Sequence, residues 1–127
     1  MKRSIVETKK APPPVGPYSQ AIQAGNMVFV SGQIALHPET NEIHQDFTAQ
    51  CHQVLKNLQA ILEASGSSLE HTVKVMIYMT DIDRFNELNE IYAGYLGSAK
   101  PARACVEVSR LPKGVLVEMD AVALIGE

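Results

Sequence analysis

The sequence is poor in the features that usually reveal a function class. Aromatic residues make up only 6% of its 127 residues, and there are two cysteines, Cys51 and Cys105. Two cysteines cannot build a disulfide framework, so both are expected as free thiols. No run of Lys and Arg exceeds two residues and the net charge is −3, which makes nucleic acid an unlikely partner. No apolar stretch approaches the length of a membrane span, and the opening MKRSIVETKK lacks the apolar core of a signal peptide. A cytoplasmic protein without a membrane partner is the expectation. His37, His44, His52 and His71 share no metal-ligand spacing with one another or with the cysteines. They are expected at the surface, and no metal is expected. The chain also lacks a glycine-rich phosphate loop, a Ser-His-Asp set and a cofactor fingerprint, so no cofactor is expected.

What remains is an ordinary globular profile, 46% apolar and 20% charged, at a length that suits one domain over 1–127. Residues 2–8 have the character of a first strand, and APPPVGP after them is stiff and extended. SQAIQAG and MVFVSG flank Gly25-Asn26, which predicts a hairpin. ALHPETNEIHQ predicts a loop with a short strand. Phe47, Cys51, Val54, Leu55, Leu58, Ile61 and Leu62 then recur at helical spacing, with Asp46 as N-cap and Gly66 as stop. TVKVMIYM is β-branched and reads as a strand. Asp81 or Asp83 is placed to cap a second helix carrying Phe85, Leu88, Ile91, Tyr92 and Leu96, closed by Gly97. ARACVEV and VLVEMDAVAL around SRLPKG complete the set. The predicted fold is α+β, a two-layer sandwich of a mixed six-stranded sheet with both helices on one face.

The last two strands pose a question. On ARACVEV the alternation puts Arg103, Cys105 and Glu107 on one side and Ala104, Val106 and Val108 on the other. A symmetric hairpin about Leu111-Pro112 would place Cys105 opposite Glu118 and gather Arg103, Cys105, Glu107, Leu116, Glu118 and Asp120 on one mixed face. Ala104, Val106, Val117, Met119 and Ala121 would face the helices. A one-residue slip would reverse the match. A mixed face is either solvated or covered by another subunit with a pocket between them.

Arg103 is the most informative residue. A guanidinium forks onto a carboxylate as lysine cannot. It is either an anion clamp or the partner of Glu107, Glu118 or Asp120. Glu118 lies in an otherwise apolar strand, where partial burial would raise its pKa towards use as a general acid or base. Cys105 has no histidine nearby in sequence to activate it and reads better as a small pocket residue than as a nucleophile. Cys51 lies on the apolar stripe of the first helix and reads as core. Ser31-Gly32 ends a strand where a glycine would let a ligand approach the backbone, or serves as a plain turn. Tyr18, after Gly16-Pro17, either walls a pocket or packs. Asn89 interrupts the inner face of the second helix and asks for a hydrogen-bond partner.

The stretches GPYSQAI, NMVFVSGQI and PARACVEVSRLPKGVLVEMDAVAL resemble the RidA (YjgF) family of reactive imine/enamine deaminases, over nearly the whole chain. The resemblance implies a fold like the trimeric bacterial chorismate mutase and a homotrimer with pockets between subunits. It implies hydrolysis of 2-iminobutanoate and 2-iminopropanoate, the imines left by pyridoxal-phosphate dehydratases, to 2-keto acids and ammonia without a cofactor. The ligand would be a small anionic imine or 2-keto acid. By the same resemblance Arg103 matches the carboxylate clamp and Glu118 the residue that orients or activates water. Tyr18, Ser31, Gly32, Asn89 and Cys105 match pocket positions, and Pro112 a wall residue. Lys100 stands where many relatives carry an aromatic or apolar residue. Some relatives are described instead as endoribonucleases or translation inhibitors; a chaperone-like or metabolite-sensing protein without turnover is a third reading, since members with no assigned deaminase activity share the fold.

Overall fold

Helix α1, Phe47–Ala64, begins where the sequence places it. The Asp46 carboxylate accepts from the Ala49 N–H at 3.0 Å, satisfying one of the orphan donors of the first turn. Past the far end Gly66 takes φ +84°, the left-handed conformation that stops a helix without a side-chain penalty. Val54, Leu55, Leu58, Ile61 and Leu62 are fully buried along one stripe. Helix α2, Phe85–Leu96, starts differently from expectation. Asp81 caps a short 3-10 turn, Ile82–Arg84, through the Asp83 N–H, and that turn leads into α2. Gly97 does not reverse the chain after α2, since its φ is −62°; Lys100 does, at φ 48°.

The computed structural model describes residues 2–126; the expected domain, 1–127, also takes in Met1 and Glu127, which lie outside the described residues. Six strands, β1 Arg3–Val6, β2 Ala21–Ala24, β3 Met27–Gln33, β4 Thr72–Met79, β5 Ala102–Glu107 and β6 Val117–Leu124, form one sheet in the order β1-β2-β3-β6-β4-β5. β4 and β5 are parallel and the other neighbours antiparallel, so the sheet is mixed. The β2–β3 hairpin turns at Gly25-Asn26 with Ala24 opposite Met27 and Gly25 at φ 62°. The loop after β3 holds a single bridge, Leu36 to Ile43. Both helices cover one face, where Val75, Ile77, Met79, Val117 and Met119 are fully buried against them.

The C-terminal hairpin does not exist. β5 pairs with β4 alone, and β6 inserts between β3 and β4. The physical reason is burial. β6 alternates buried and half-buried residues along its whole length and needs neighbours on both edges, whereas β5, with Arg103 and Glu107, suits an edge. The crossover through α2 also delivers β5 parallel to β4. The mixed face proposed from the hairpin is therefore split. Arg103 lies level with Val75 and Cys105 with Ile77, on the helix side. Glu118 lies opposite Tyr78 and Asp120 opposite Met76, on the open side. Ala104 and Val106, expected under the helices, are on the open side instead, and Val106 is 41% exposed.

Part of the open side is nevertheless apolar. Ile5, Ile22, Phe29 and Val122 form one row across four strands. No element of the described residues covers it, and Ile5 and Phe29 are 60% and 46% exposed.

Candidate functional site

The expected site residues fall into two groups, one on each side of the sheet. On the open side, β3 loses register with β6 between Val30 and Gln33, so Ser31 and Gly32 together oppose Asp120 in a bulge. The strand thus runs through Ser31-Gly32 rather than ending there. Ser31 is tied down at both ends: its N–H donates to the Gln20 carbonyl at 2.9 Å and its hydroxyl to the Ser19 carbonyl at 2.5 Å. The buried Gln20 side chain in turn donates to the carbonyls of Thr8, Ala11 and Pro12 and accepts from the Thr8 N–H. These bonds hold the proline-rich segment against the sheet and bring Tyr18 over the bulge. The Tyr18 hydroxyl accepts from the Val15 N–H at 3.3 Å.

Gly32 acts through the side chain it lacks. A Cβ there would collide with the Glu118 carboxylate, which lies across the bulge. Tyr18, Ser31, Gly32, Pro112 and Glu118 line one cleft of about 370 Å³, joined by Val15 and Ile34, which the sequence did not single out. A cleft of about 430 Å³ beside Thr80, Ser109 and Arg110 is larger but contains none of the expected residues. Burial holds the Glu118 carboxyl above the usual carboxylate range, and the neighbouring charge of Asp120 raises it further. Asp120 itself accepts a hydrogen bond from the Tyr78 hydroxyl at 3.0 Å.

On the helix side stands Arg103. Its guanidinium carbon is 4.8 Å from the ring centre of Tyr92 and 5.4 Å from that of Phe85, both within cation–π range. Phe85, Asn89 and Tyr92 are four and three residues apart on α2 and share one face of it. Arg103 is half-buried, yet it makes no ion pair among the described residues, where only Arg84 does. The carboxylates weighed as its partners are elsewhere. Glu107 accepts from the Ile82 N–H, Asp120 bonds Tyr78, and Glu118 is across the sheet. Asn89 is half-buried and makes no side-chain hydrogen bond among the described residues, so its amide is also unspent.

Cys105 is on this side, its Sγ 3.4 Å from the Met79 Sδ. Burial pushes its thiol up, with Arg103 pulling partly back, so the reactive thiolate is disfavoured. Cys51 is core, pushed up to about 12 chiefly by burial. Of the histidines expected at the surface only His44 is fully exposed; His52 meets the Tyr95 hydroxyl at 2.7 Å and His71 the Ser68 hydroxyl at 2.8 Å. Among the described residues no group of three or more His, Cys, Asp and Glu could hold a metal ion, and no helix is long and apolar enough to cross a membrane.

The same arrangement of strands and helices recurs in solved structures. RidA from an Antarctic Psychrobacter species superposes with a TM-score of 0.93 at 45% identity, covering 96% of this chain and 99% of that one. TdcF of E. coli, solved with bound serine, gives 0.92 at 40% identity over 97% and 99% of the two chains. In sequence, a RutC family protein of Pyrococcus abyssi is 52% identical over 97% of this chain and 98% of its own length. The family described as endoribonuclease L-PSP matches residues 8–125. The chain belongs to the RidA (YjgF) family. Within this family's fold, Arg103 and Glu118 cannot meet in one subunit, because the sheet separates them. Sequence reasoning missed the aromatic pair that flanks Asn89. Phe85 and Tyr92 read as core because they lie on the apolar stripe of α2, and their spacing about Asn89 was the signal available.

Proposed function

We propose that this protein hydrolyses small 2-imino acids, 2-iminobutanoate and 2-iminopropanoate, to 2-keto acids and ammonia. The observation that carries this reading is Arg103, a half-buried guanidinium held by two rings with no carboxylate partner among the described residues. A preorganised, uncompensated fork suits a small carboxylate. The serine in TdcF is a ligand with such a group. The Asn89 amide and the Cys105 side chain would complete this half of the pocket.

The other half comes from a second copy. Because Glu118 faces away from Arg103, a whole site needs the open face of one subunit set against the Arg103 side of the next. Three copies joined head to tail in this way close a ring with three equivalent sites. The uncovered row Ile5, Ile22, Phe29 and Val122, exposed at Ile5 and Phe29, supplies the apolar surface for such a contact. A homotrimer is therefore expected in sedimentation equilibrium. Phe29→Glu, which puts a charge in the middle of that row, should give the monomer mass. A parent protein that already sediments as a monomer would remove the shared site.

With the imino acid's carboxylate on Arg103, Glu118 of the neighbouring copy would take a proton from water as the water oxygen bonds to C2. The carbinolamine then collapses. For a substrate protonated on its imine nitrogen, Glu118 returns its proton to that nitrogen, the C–N bond breaks to release ammonia, and Glu118 takes the hydroxyl proton as the C=O bond forms and passes it to the ammonia, which leaves as ammonium. A carboxyl with a raised pKa suits both proton transfers. Ser31 and the bulge would keep the water-binding side of the cleft rigid. The test is a coupled assay in which a serine or threonine dehydratase supplies the imine. Keto-acid formation should accelerate when this protein is added, and an unchanged time course would refute the reading. RNA cleavage, the activity in the family's descriptive name, is disfavoured by the net charge of −3.

A further inference from the structure

Tyr92 has a feature that core packing does not explain. Its side chain is 8% exposed, and its hydroxyl is buried without any hydrogen-bond partner. It is the only such side-chain group among the described residues. Buried hydroxyls are normally paired, and an unpaired one marks a group that serves another state of the molecule or a partner that moves. The charged group against the ring is Arg103. The hydroxyl's pKa is raised by burial and drawn back by the Arg103 guanidinium, first through its charge and then through a hydrogen-bonding approach. The guanidinium carbon lies 4.8 Å from the ring centre, without a hydrogen bond to the oxygen.

We infer that Tyr92 is a positioning residue for Arg103: its hydroxyl accepts an inward N–H of the guanidinium when a carboxylate occupies the outward edge, and so fixes the plane of the fork. The rings of Phe85 and Tyr92 hold the guanidinium by cation–π attraction, and the hydroxyl would fix its orientation against them. This inference rests on the proposed role of Arg103 as carboxylate clamp and adds the group that orients it. It also accounts for the spacing on α2, where Phe85 and Tyr92 flank Asn89 on one face of the helix.

The experiment is a double-mutant cycle on 2-ketobutyrate binding, read by calorimetry with a melting curve for each protein. Tyr92→Phe keeps the ring and removes only the hydroxyl. It should weaken 2-ketobutyrate by about three- to tenfold, the effect of losing one hydrogen bond behind the clamp. Its melting temperature should not fall, because an unpaired buried hydroxyl is lost. In the Arg103→Lys background, where no fork remains to be oriented, Tyr92→Phe should change affinity by less than about twofold. Equal weakening in both backgrounds would overturn the inference, as would unchanged affinity in the single variant. If Arg103→Lys itself binds normally, the clamp fails and not merely its positioning. A second measurement needs no folded variant. With tyrosine labelled at Cζ, the Tyr92 resonance should shift on saturation with 2-ketobutyrate, and a resonance that does not move would equally overturn the inference.

Discussion

Arg103→Ala is expected to lose detectable 2-ketobutyrate binding and imine hydrolysis while keeping the parent's fold and oligomeric mass. The guanidinium makes no ion pair among the described residues, so removing it breaks no salt bridge there. What is lost in the fold is the stacking on Phe85 and Tyr92, worth about 0.5–1 kcal/mol at partly exposed sites. What is lost in binding is larger. Each charge-assisted hydrogen bond contributes about 1.5–3 kcal/mol, and one decade of affinity is about 1.4 kcal/mol. A lost bidentate pair therefore costs at least about a hundredfold. Arg103→Lys keeps the charge and loses the fork, and should fall between alanine and the parent. Calorimetry beside a mass measurement separates the causes. Normal keto-acid affinity in Arg103→Ala would remove the clamp. A variant that dissociates into monomers would assign Arg103 to assembly.

Glu118→Gln should leave 2-ketobutyrate affinity within a few-fold of the parent and slow imine hydrolysis by roughly 100- to 10,000-fold, the usual contribution of a placed acid or base. Glutamine keeps the shape across the Gly32 bulge, so the cleft survives the change. The pH dependence follows from the direction of the shift. Burial first, and Asp120 second, hold the Glu118 carboxyl above the ordinary range. As the base that accepts water's proton it must be ionised, so turnover should fall on the acid side through a midpoint above the ordinary carboxylate value. Asp120→Asn removes the neighbouring charge and should move that midpoint down. Stability carries the opposite slope from most carboxylates. A raised folded-state pKa means the folded chain holds the proton more tightly, so stability is fullest below the unfolded value and falls as pH rises through the folded one. In Glu118→Gln that segment of the slope should vanish. Full turnover in Glu118→Gln, or an acid limb unmoved by Asp120→Asn, would restrict Glu118 to a structural role.

These two residues also show how far the chain could be read without its fold. Local signals determined local structure. The Asp46 cap, the α1 stripe, the Gly25-Asn26 turn and the β4 run TVKVMIYM all rest on interactions within a few residues, and each is present where the pattern put it. The resemblance carried by the C-terminal stretch pointed to Arg103 and Glu118 in the same way, as positions along a chain. Strand pairing is another matter. Whether β5 meets β6 or β4 depends on which edge a crossover through α2 reaches and which strand gains most from a central slot, and neither quantity is local. The sequence's period of two fixed which residues share a side within each strand. Only the tertiary structure decided which sides of different strands face together, and it put Arg103 under the helices and Glu118 on the open face. The same holds for Tyr92. On α2 it reads as one more apolar contact, and only packing shows a hydroxyl sealed beside a guanidinium with no partner of its own. Spacing determined the faces, while burial of the whole sheet determined what those faces meet.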